Sequence, residues 1–217
     1  MRTWAVVVAG GSGARFGGLK QFSSLRGRPV AAWSVDAARS VAEGVVLVVP
    51  AGSVAVGGTC GADIVVPGGD TRSGSVRAGL AVVPEDVGVV VVHDAARPLA
   101  SPALFRAVVG AVDGTTSREQ APDGAIPGVA VSDTLKRVEH GLVVGTVDRA
   151  AVVAVQTPQA FRAASLRAAH QAGGTATDDA GLVESIGGVV RVVPGEPWNL
   201  KVTLPSDLAV ADLLVVR

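Results

Sequence analysis

Glycines and two cations follow the first apolar segment of the chain, in the sequence AGGSGARFGGLKQF. Gly10, Gly11 and Gly13 lack a Cβ, so their backbone N–H groups can approach phosphate oxygens closely. Arg15 and Lys20 add the fixed positive charge that a triphosphate requires. The segment predicts a phosphate-binding loop. The alternative interpretation is a glycine-rich turn that carries two solvated cations.

The better-known phosphate loops do not match this segment. The dinucleotide fingerprint GxGxxG requires a third glycine where Phe16 stands. The Walker A loop requires Gly-Lys followed by Ser or Thr, but the chain has Gly-Leu-Lys-Gln at residues 18–21. The sequence therefore favours neither a dehydrogenase nor a P-loop nucleotidase.

A second glycine turn, GGDTRSGSV, precedes a predicted helix. Helix N-termini expose unpaired N–H groups and favour anions. Arg72 and Ser75 would lie at such an N-terminus, so this segment is a second candidate for phosphate contacts. A simple turn with an N-cap is the alternative interpretation.

A third segment, HDAARP, directly follows an apolar run. Open α/β sheets bind ligands beyond the carboxyl ends of their strands. Asp94 and Arg97 are therefore candidates for contacts with a metal, a sugar or a phosphate. His93 is predicted to be a hydrogen-bonded core residue and not a base, and His140 and His170 are predicted to lie at the surface.

Short valine-rich runs recur between turns marked by glycine or proline, with helical patterns between them. Continuously apolar runs are typical of strands covered on both faces of a parallel sheet. The alternation predicts an α/β fold, a three-layer sandwich. The predicted strands are Trp4–Val8, Val45–Val49, Ile64–Val66, Val87–Val92, Ile126–Val131, Val152–Val155 and Val189–Val193. The predicted helices are Pro29–Glu43, Arg72–Val83, Pro102–Val112 after the N-cap Ser101, Ala163–Ala172, Asp178–Ile186 and Ser206–Val216.

One segment, Asp133–Thr157, breaks this alternation. It contains short strand-like pieces on either side of a turn at Glu139-His140-Gly141, so it predicts a β-hairpin arm that leaves the core. The glycine-rich segment Gly52–Gly61 is predicted to be a loop. Because no repeat or linker interrupts the chain, residues 1–217 are predicted to form one domain.

Composition limits the function classes. Lys plus Arg (19) balance Asp plus Glu (19), so no basic surface for nucleic acid is expected. No apolar run reaches the roughly 20 residues that cross a bilayer, and the N-terminus does not have the pattern of a signal peptide. Cys60 is the only cysteine. These features predict a cytoplasmic protein without a disulfide or a cysteine-bound metal.

Taken together, the motifs resemble those of the 2-C-methyl-D-erythritol 4-phosphate cytidylyltransferases of the non-mevalonate isoprenoid pathway. The resemblance extends in order over nearly the whole chain, through AGGSGARFGGLKQF, GGDTRSGSV, VHDAARPL, DTLKR, TVDR, QTPQAF, TDDAGLVE and NLKVTLPSDL. It implies a Rossmann-like nucleotidyltransferase fold with a mostly parallel sheet. It also implies a homodimer, in which the arm crosses to the partner subunit, and dependence on a divalent cation such as Mg²⁺.

The resemblance implies roles for individual residues in transferring CMP from CTP to 2-C-methyl-D-erythritol 4-phosphate. Arg15, Lys20 and Lys201 would be catalytic, and Asp94 would orient a substrate hydroxyl or help to place the metal. The residues implied to bind CTP are Ala9, Gly10, Gly11, Gly13, Arg15, Lys20, Gly69, Asp70, Ser75 and Ala95, and those implied to bind the polyol phosphate are Asp94, Arg97, Thr134, Arg149 and Lys201.

The phosphate loop departs from the family pattern at two positions. Gly10 stands where the family usually has alanine, and Leu19 stands where a proline usually precedes Lys20. Neither departure removes a charged group. The implied chemistry needs no general base, because a phosphate monoester is largely dianionic at neutral pH with a second pKa of about 6. Catalysis would depend on positioning and charge neutralisation.

Two other hypotheses remain open from the sequence. The first is a cytidylyltransferase for another polyol phosphate, such as ribitol 5-phosphate. The second is a non-catalytic nucleotide-binding or regulatory module on the same fold. The presence of Arg15, Lys20, Asp94 and Lys201 argues against the second, since a binding module need not keep the groups for both ligands.

Overall fold

The computed structural model describes residues 1–114, 121–174 and 176–215. Its strands are β1 (Thr3–Val8), β2 (Ser24–Leu25), β3 (Arg28–Pro29), β4 (Gly44–Val49), β5 (Ile64–Pro67), β6 (Val89–Asp94), β7 (Gly124–Ala130), β8 (Leu135–Glu139), β9 (Leu142–Val147), β10 (Val153–Val155), β11 (Gln159–Arg162) and β12 (Val190–Pro194). Its helices are α1 (Val30–Arg39), α2 (Val54–Gly57), α3 (Arg72–Leu80), α4 (Pro102–Asp113), α5 (Ala163–Ala172), α6 (Asp179–Ser185) and α7 (Pro205–Leu214), with 3₁₀ turns at Lys20–Phe22, Ala51–Ser53, Gly58–Cys60 and Arg149–Ala151.

An eight-stranded sheet forms the centre of the molecule. Its strand order is β5-β4-β1-β6-β11-β7, and β10 and β12 also pair with β7. The pairs β4–β5, β1–β4, β1–β6 and β7–β12 are parallel. Strand β11 is antiparallel to both β6 and β7, and β10 is antiparallel to β7. The predicted mostly parallel sheet is confirmed.

The two faces of the sheet carry separate cores. Ala5 and Val7 pack in one cluster with residues of α1 and α4, while Val6 packs in the other with residues of α3, α5 and α6. The division follows from the strand period, because successive side chains point to opposite faces. Helices therefore cover both faces, which confirms the predicted three layers. None of the helices in the described part of the chain is long and apolar enough to span a bilayer.

Each predicted helix is present, with ends that shift by up to four residues. Ser101 caps α4 as predicted, since its Oγ accepts a hydrogen bond from the Leu104 N–H at 3.1 Å. The last predicted residue of the final helix, Val216, lies outside the described residues. The predicted loop Gly52–Gly61 is wrong, because α2 and its flanking 3₁₀ turns occupy most of it.

The predicted arm is a β-hairpin. Within residues 1–114, 121–174 and 176–215, strands β8 and β9 pair only with each other, in an antiparallel two-stranded sheet. Their turn lies at His140 and Gly141, which have φ values of 49° and 81° as tight hairpin turns require. Leu142 and Val143 on this hairpin are 71% and 63% exposed. The arm thus presents apolar side chains away from its own core.

Candidate active site

The candidate site is a cleft of about 630 Å³ at the carboxyl ends of β1, β4 and β6. These three strands are neighbours in the sheet, so the loops that follow them converge. A second cavity, of about 480 Å³, lies beside Trp33 and Trp198 and contains none of the predicted site residues. The predicted site residues that line the larger cleft are Ala9, Gly10, Gly11, Arg15, Lys20, Gly69, Asp70, Ser75, Asp94, Ala95 and Lys201.

The loop after β1 is held by its own backbone and by Gln21. The carbonyl of Gly13 accepts hydrogen bonds from the N–H groups of Phe16 and Gly17, and Gly13 has a φ of 69°. The buried amide of Gln21 donates to the carbonyls of Ala9 at 2.8 Å and of Gly11 at 3.1 Å. Gln21 was not predicted as a site residue, although it belongs to the same motif.

Gly13 does not line the cleft, in contrast to the other predicted glycines. A Cβ at this position would lie 1.7 Å from the carbonyl oxygen of Gly18. Its left-handed backbone also disfavours any side chain. In this structure Gly13 shapes the loop, whereas Gly10 and Gly11 face the cleft.

The second glycine turn brings the N-terminus of α3 to the same cleft. Thr71 caps the helix, since its Oγ1 accepts from the Gly74 N–H at 2.9 Å. The hydroxyl of Ser75 donates to the carbonyl of Gly69 at 3.3 Å. A Cβ on Gly10 would lie 3.0 Å from the Ser75 Oγ, so the two glycine segments meet. The N-terminus of this nine-residue helix adds a partial positive charge to the cleft.

Asp94 ends β6 and lies between two cations. Its Oδ1 accepts from the Nε of Arg72 at 3.2 Å, and its Oδ2 accepts from the Nζ of Lys201 at 2.6 Å. Burial alone would raise the pKa of this carboxyl, but Arg72 and Lys201 outweigh burial and lower its pKa to about 2. Asp94 is therefore ionised at neutral pH, although it is only 9% exposed.

Lys20 shares the cleft with two further cations. Its pKa is lowered, first by partial burial and then by the positive charges of Lys201 and Arg15. These like charges repel one another across the cleft. An anion placed among them would relieve that repulsion, so the arrangement favours a highly charged anionic ligand.

The predicted ligand residue Arg97 lies outside the cleft lining. Its Nη1 donates to the carbonyl of Asn199 at 2.7 Å.

His93, four residues earlier, is fully buried, with Nδ1 3.1 Å from the Oγ1 of Thr157 and Nε2 3.2 Å from the carbonyl oxygen of Arg97. Burial lowers the pKa of His93 to about 4, so the ring is neutral at pH 7. Its predicted role as a hydrogen-bonded core residue is confirmed.

The prediction that His170 lies at the surface is wrong. His170 is 6% exposed, and its Nε2 lies 3.0 Å from the Oδ1 of Asp179, which is itself 0% exposed. The Oδ2 of Asp179 accepts from the Nη1 of Arg72 at 2.7 Å. The sequence analysis did not predict this buried cluster of His170, Asp179 and Arg72. The signal that could have found it is the pair of carboxylates at the start of α6, which belongs to the motif TDDAGLVE.

Thr134 and Arg149 lie on the arm and not in the cleft of their own chain. Both are exposed, and Arg149 donates a hydrogen bond to the carbonyl of Ser132. The structure therefore brings together most of the predicted nucleotide-binding residues, but it leaves these two predicted substrate residues apart from them.

A sequence model of the family described as "IspD: 2-C-methyl-D-erythritol 4-phosphate cytidylyltransferase" matches residues 3–217. The chain belongs to this family. One IspD relative is the 2-C-methyl-D-erythritol 4-phosphate cytidylyltransferase of Nocardia farcinica. It is 43% identical to this chain, and the match covers 98% of this chain and 94% of the relative's length. The bifunctional enzyme IspD/IspF of Nitratidesulfovibrio vulgaris is also 43% identical over 98% of this chain, and the chain spans 58% of that relative's length.

The IspD fold is also found among solved structures. The crystal structure of the 2-C-methyl-D-erythritol 4-phosphate cytidylyltransferase from Thermus thermophilus is similar to this chain with a TM-score of 0.79. The two sequences are 34% identical, and the match covers 98% of each chain. The predicted Rossmann-like nucleotidyltransferase fold is thereby confirmed.

Proposed function

We propose that this IspD-family chain transfers CMP from CTP to 2-C-methyl-D-erythritol 4-phosphate, giving 4-diphosphocytidyl-2-C-methyl-D-erythritol and pyrophosphate. The observation that carries the proposal is the cleft, which gathers Arg15, Lys20 and Lys201 beside the N-terminus of α3 and the ionised Asp94. We assign the triphosphate to the cationic side of this cleft and the polyol to the side of Asp94. We also propose that the protein acts in the cytoplasm.

The reaction joins two anions, so catalysis depends mainly on cations that neutralise their charges. An oxygen of the methylerythritol phosphate attacks the α-phosphorus of CTP. The bond from that phosphorus to the oxygen bridging the β-phosphorus breaks, and pyrophosphate leaves. Arg15 and Lys20 neutralise the developing charge on the triphosphate, and Lys201 neutralises charge where the two substrates meet. No proton needs to be removed, because the attacking phosphate is already a dianion.

We propose that the glycine segments hold CTP through their backbone. Gly10 and Gly11 after β1 and Gly69 before α3 allow a phosphate or a base edge to approach the main chain. The residues assigned to CTP are Ala9, Gly10, Gly11, Arg15, Lys20, Gly69, Asp70, Ser75 and Ala95, with Gly13 setting the loop conformation.

The carboxylates of the cleft do not form a metal-binding site of their own. Both oxygens of Asp94 accept from cations, and no cluster of three metal-ligating residues occurs among residues 1–114, 121–174 and 176–215. We therefore propose that Mg²⁺ enters as the complex with CTP, whose phosphates supply most of its ligands. The ion would neutralise part of the triphosphate charge. Asp94 is then left to orient the polyol and not to hold the metal.

We propose that the arm completes the site of a second copy of the chain. An isolated two-stranded hairpin is marginally stable in water, and this one exposes Leu142 and Val143. Covering them in a homodimer would stabilise the arm. It would also carry Thr134 and Arg149, which lie away from their own cleft, to the polyol phosphate of the partner.

The Gly13→Ala variant tests the loop conformation. We expect the KM for CTP to rise by about tenfold or more, because the new Cβ would force the loop away from its left-handed turn and displace Gly10 and Gly11. Gly18→Ala is the matched control, since a Cβ added at Gly18 would meet no atom within 4 Å and Gly18 has no positive φ. Equal CTP KM values for the two variants would contradict this role of Gly13.

The proposed function also predicts substrate preference. A site that hydrogen-bonds the cytosine edge leaves buried polar groups unpaired with a wrong base, at a cost of about 1–3 kcal/mol for each group. We expect kcat/KM for CTP to exceed the values for UTP, ATP and GTP by about tenfold or more. Pyrophosphate release, followed with each nucleotide in turn, measures this preference. Equal values for CTP and ATP would contradict it.

The same assay distinguishes the polyol phosphates. With CTP fixed, methylerythritol phosphate and ribitol 5-phosphate are compared at equal concentration. We expect faster release with methylerythritol phosphate. A faster reaction with ribitol 5-phosphate would reassign the acceptor, and no reaction with any acceptor would favour a non-catalytic binding module.

A further inference from the structure

A chain of charged side chains runs from the interior of the protein to the candidate site. Asp179, the first residue of α6, is fully buried, and its carboxylate lies between His170 and Arg72. Arg72, the first residue of α3, also contacts Asp94. Asp94 in turn contacts Lys201 at the cleft.

Arg72 uses different edges of its guanidinium for the two carboxylates. Its Nη1 lies 2.7 Å from the Oδ2 of Asp179, and its Nε lies 3.2 Å from the Oδ1 of Asp94. A planar guanidinium offers separate nitrogens to two carboxylates in a fixed relative geometry, whereas a lysine ammonium has a single nitrogen on a flexible stem. The position of Asp94 is therefore linked to that of Asp179.

Asp179 does not line the cleft, although Arg72 and Asp94 do. A buried carboxylate is costly unless cations and hydrogen bonds compensate it, and replacing such a pair by apolar residues is often neutral or stabilising. Stability alone therefore gives a weak reason for a charge at this position. Holding Arg72 in place gives a stronger one, because the site needs Asp94 and Lys201 in a fixed arrangement.

We infer that Asp179 is a positioning residue for the reaction. It anchors Arg72, and Arg72 fixes the Oδ1 of Asp94 so that the Oδ2 faces Lys201 and the acceptor substrate. The inference rests on the proposed function, in which Asp94 orients the polyol. Loss of the anchor loosens Asp94 on the acceptor side of the cleft. The turn before α3 keeps the hydrogen bonds of Thr71 and Ser75, which do not depend on Asp179, so CTP binding should change less.

The Asp179→Asn variant tests the inference by steady-state kinetics with both substrates varied. We expect the KM for methylerythritol phosphate to rise by about tenfold, with the KM for CTP changed by less than about twofold. His170→Gln is the matched control, since His170 contacts the same carboxylate from the side away from Arg72. It is expected to lower the melting temperature without changing the ratio of the two KM values.

Combining Asp179→Asn with a variant of Arg72 distinguishes a positioning role of Asp179 from a merely structural one. Arg72→Lys keeps the charge but offers one nitrogen on a flexible stem in place of two fixed ones, so it should hold the two carboxylates less rigidly and raise the same KM. If Asp179 acts through Arg72, the double variant should be no worse than Arg72→Lys alone. Arg72→Lys also serves as the test if Asp179→Asn protein does not fold, and an unchanged ratio of KM values would then overturn the inference.

The activity of the wild-type protein distinguishes a failure of the proposed function from a failure of the inference about Asp179. Wild-type protein that releases no pyrophosphate from CTP and methylerythritol phosphate would contradict the proposed function. Active wild-type protein would leave the function intact. In that case, fully additive effects, or an equal rise of both KM values in Asp179→Asn, would overturn the inference about Asp179 alone.

Discussion

The Lys20→Ala protein should turn over CTP and methylerythritol phosphate about 100-fold or more slowly than the wild type, with its fold intact. Removing one preorganised group that stabilises transition-state charge typically costs a factor of about 10²–10³ in kcat. Lys20 shares the cleft with Arg15 and Lys201, and its pKa is lowered first by partial burial and then by their charges. The lysine therefore repels its neighbours until an anion enters, so its removal should not destabilise the ligand-free protein.

The measurement is kcat by pyrophosphate release, together with a thermal melting curve. Arg106→Ala is the matched control, because it removes an exposed cation on α4 that lies outside the cleft. It should leave kcat within about twofold of the wild type, as expected for a surface substitution. A near wild-type kcat for Lys20→Ala would remove Lys20 from the catalytic set.

The Arg149→Ala protein should bind the polyol phosphate much more weakly and CTP almost normally. A bidentate guanidinium–phosphate pair is among the stronger protein–ligand interactions, so we expect a rise of about 100-fold in the KM for methylerythritol phosphate. The arginine lies on the exposed arm, away from the cleft of its own chain. This effect is therefore expected only if the arm reaches a partner.

Subunit mixing tests where the arm acts. Lys20→Ala protein and Arg149→Ala protein, each inactive at low polyol phosphate, are mixed and allowed to exchange subunits. In a dimer with crossed arms, one site of the heterodimer carries both defects and the other site carries neither. Random exchange should then restore about a quarter of the wild-type activity.

An arm that serves its own subunit gives the opposite result, since every site would keep one defect. The mixture would then stay inactive. Mass spectrometry of differently tagged chains must confirm that exchange has occurred. Persistent inactivity after confirmed exchange would contradict the shared site.

The sequence predicted part of the cleft, because some of the residues that line it lie at or directly after the end of a strand. Ala9 comes immediately after β1 and Asp94 ends β6, so the position of each followed from the strand pattern alone. The glycines between Gly10 and Gly13 indicated the loop. Their individual roles could not be separated, because the left-handed φ of Gly13 depends on a hydrogen-bonding pattern that composition does not reveal.

The parts that sequence reasoning missed depend on tertiary packing. Strand β11 was not predicted, since Ala160 and Phe161 are its only two strongly apolar residues and a proline precedes it closely. The segment forms a strand because it pairs with β6 on one side and with β7 on the other. His170 and Asp179 lie on different helices, and only the packing of α5 against α6 buries them together.

The most direct test of the proposed function is a ³¹P NMR time course of wild-type protein with CTP, Mg²⁺ and methylerythritol phosphate. We expect the resonances of CTP and of the phosphate monoester to decline together. Two coupled diphosphate resonances should grow together with the single resonance of free pyrophosphate, whose area should equal the sum of the two because its two phosphorus atoms are equivalent. Unchanged CTP, or CMP and pyrophosphate formed while methylerythritol phosphate remains intact, would contradict it.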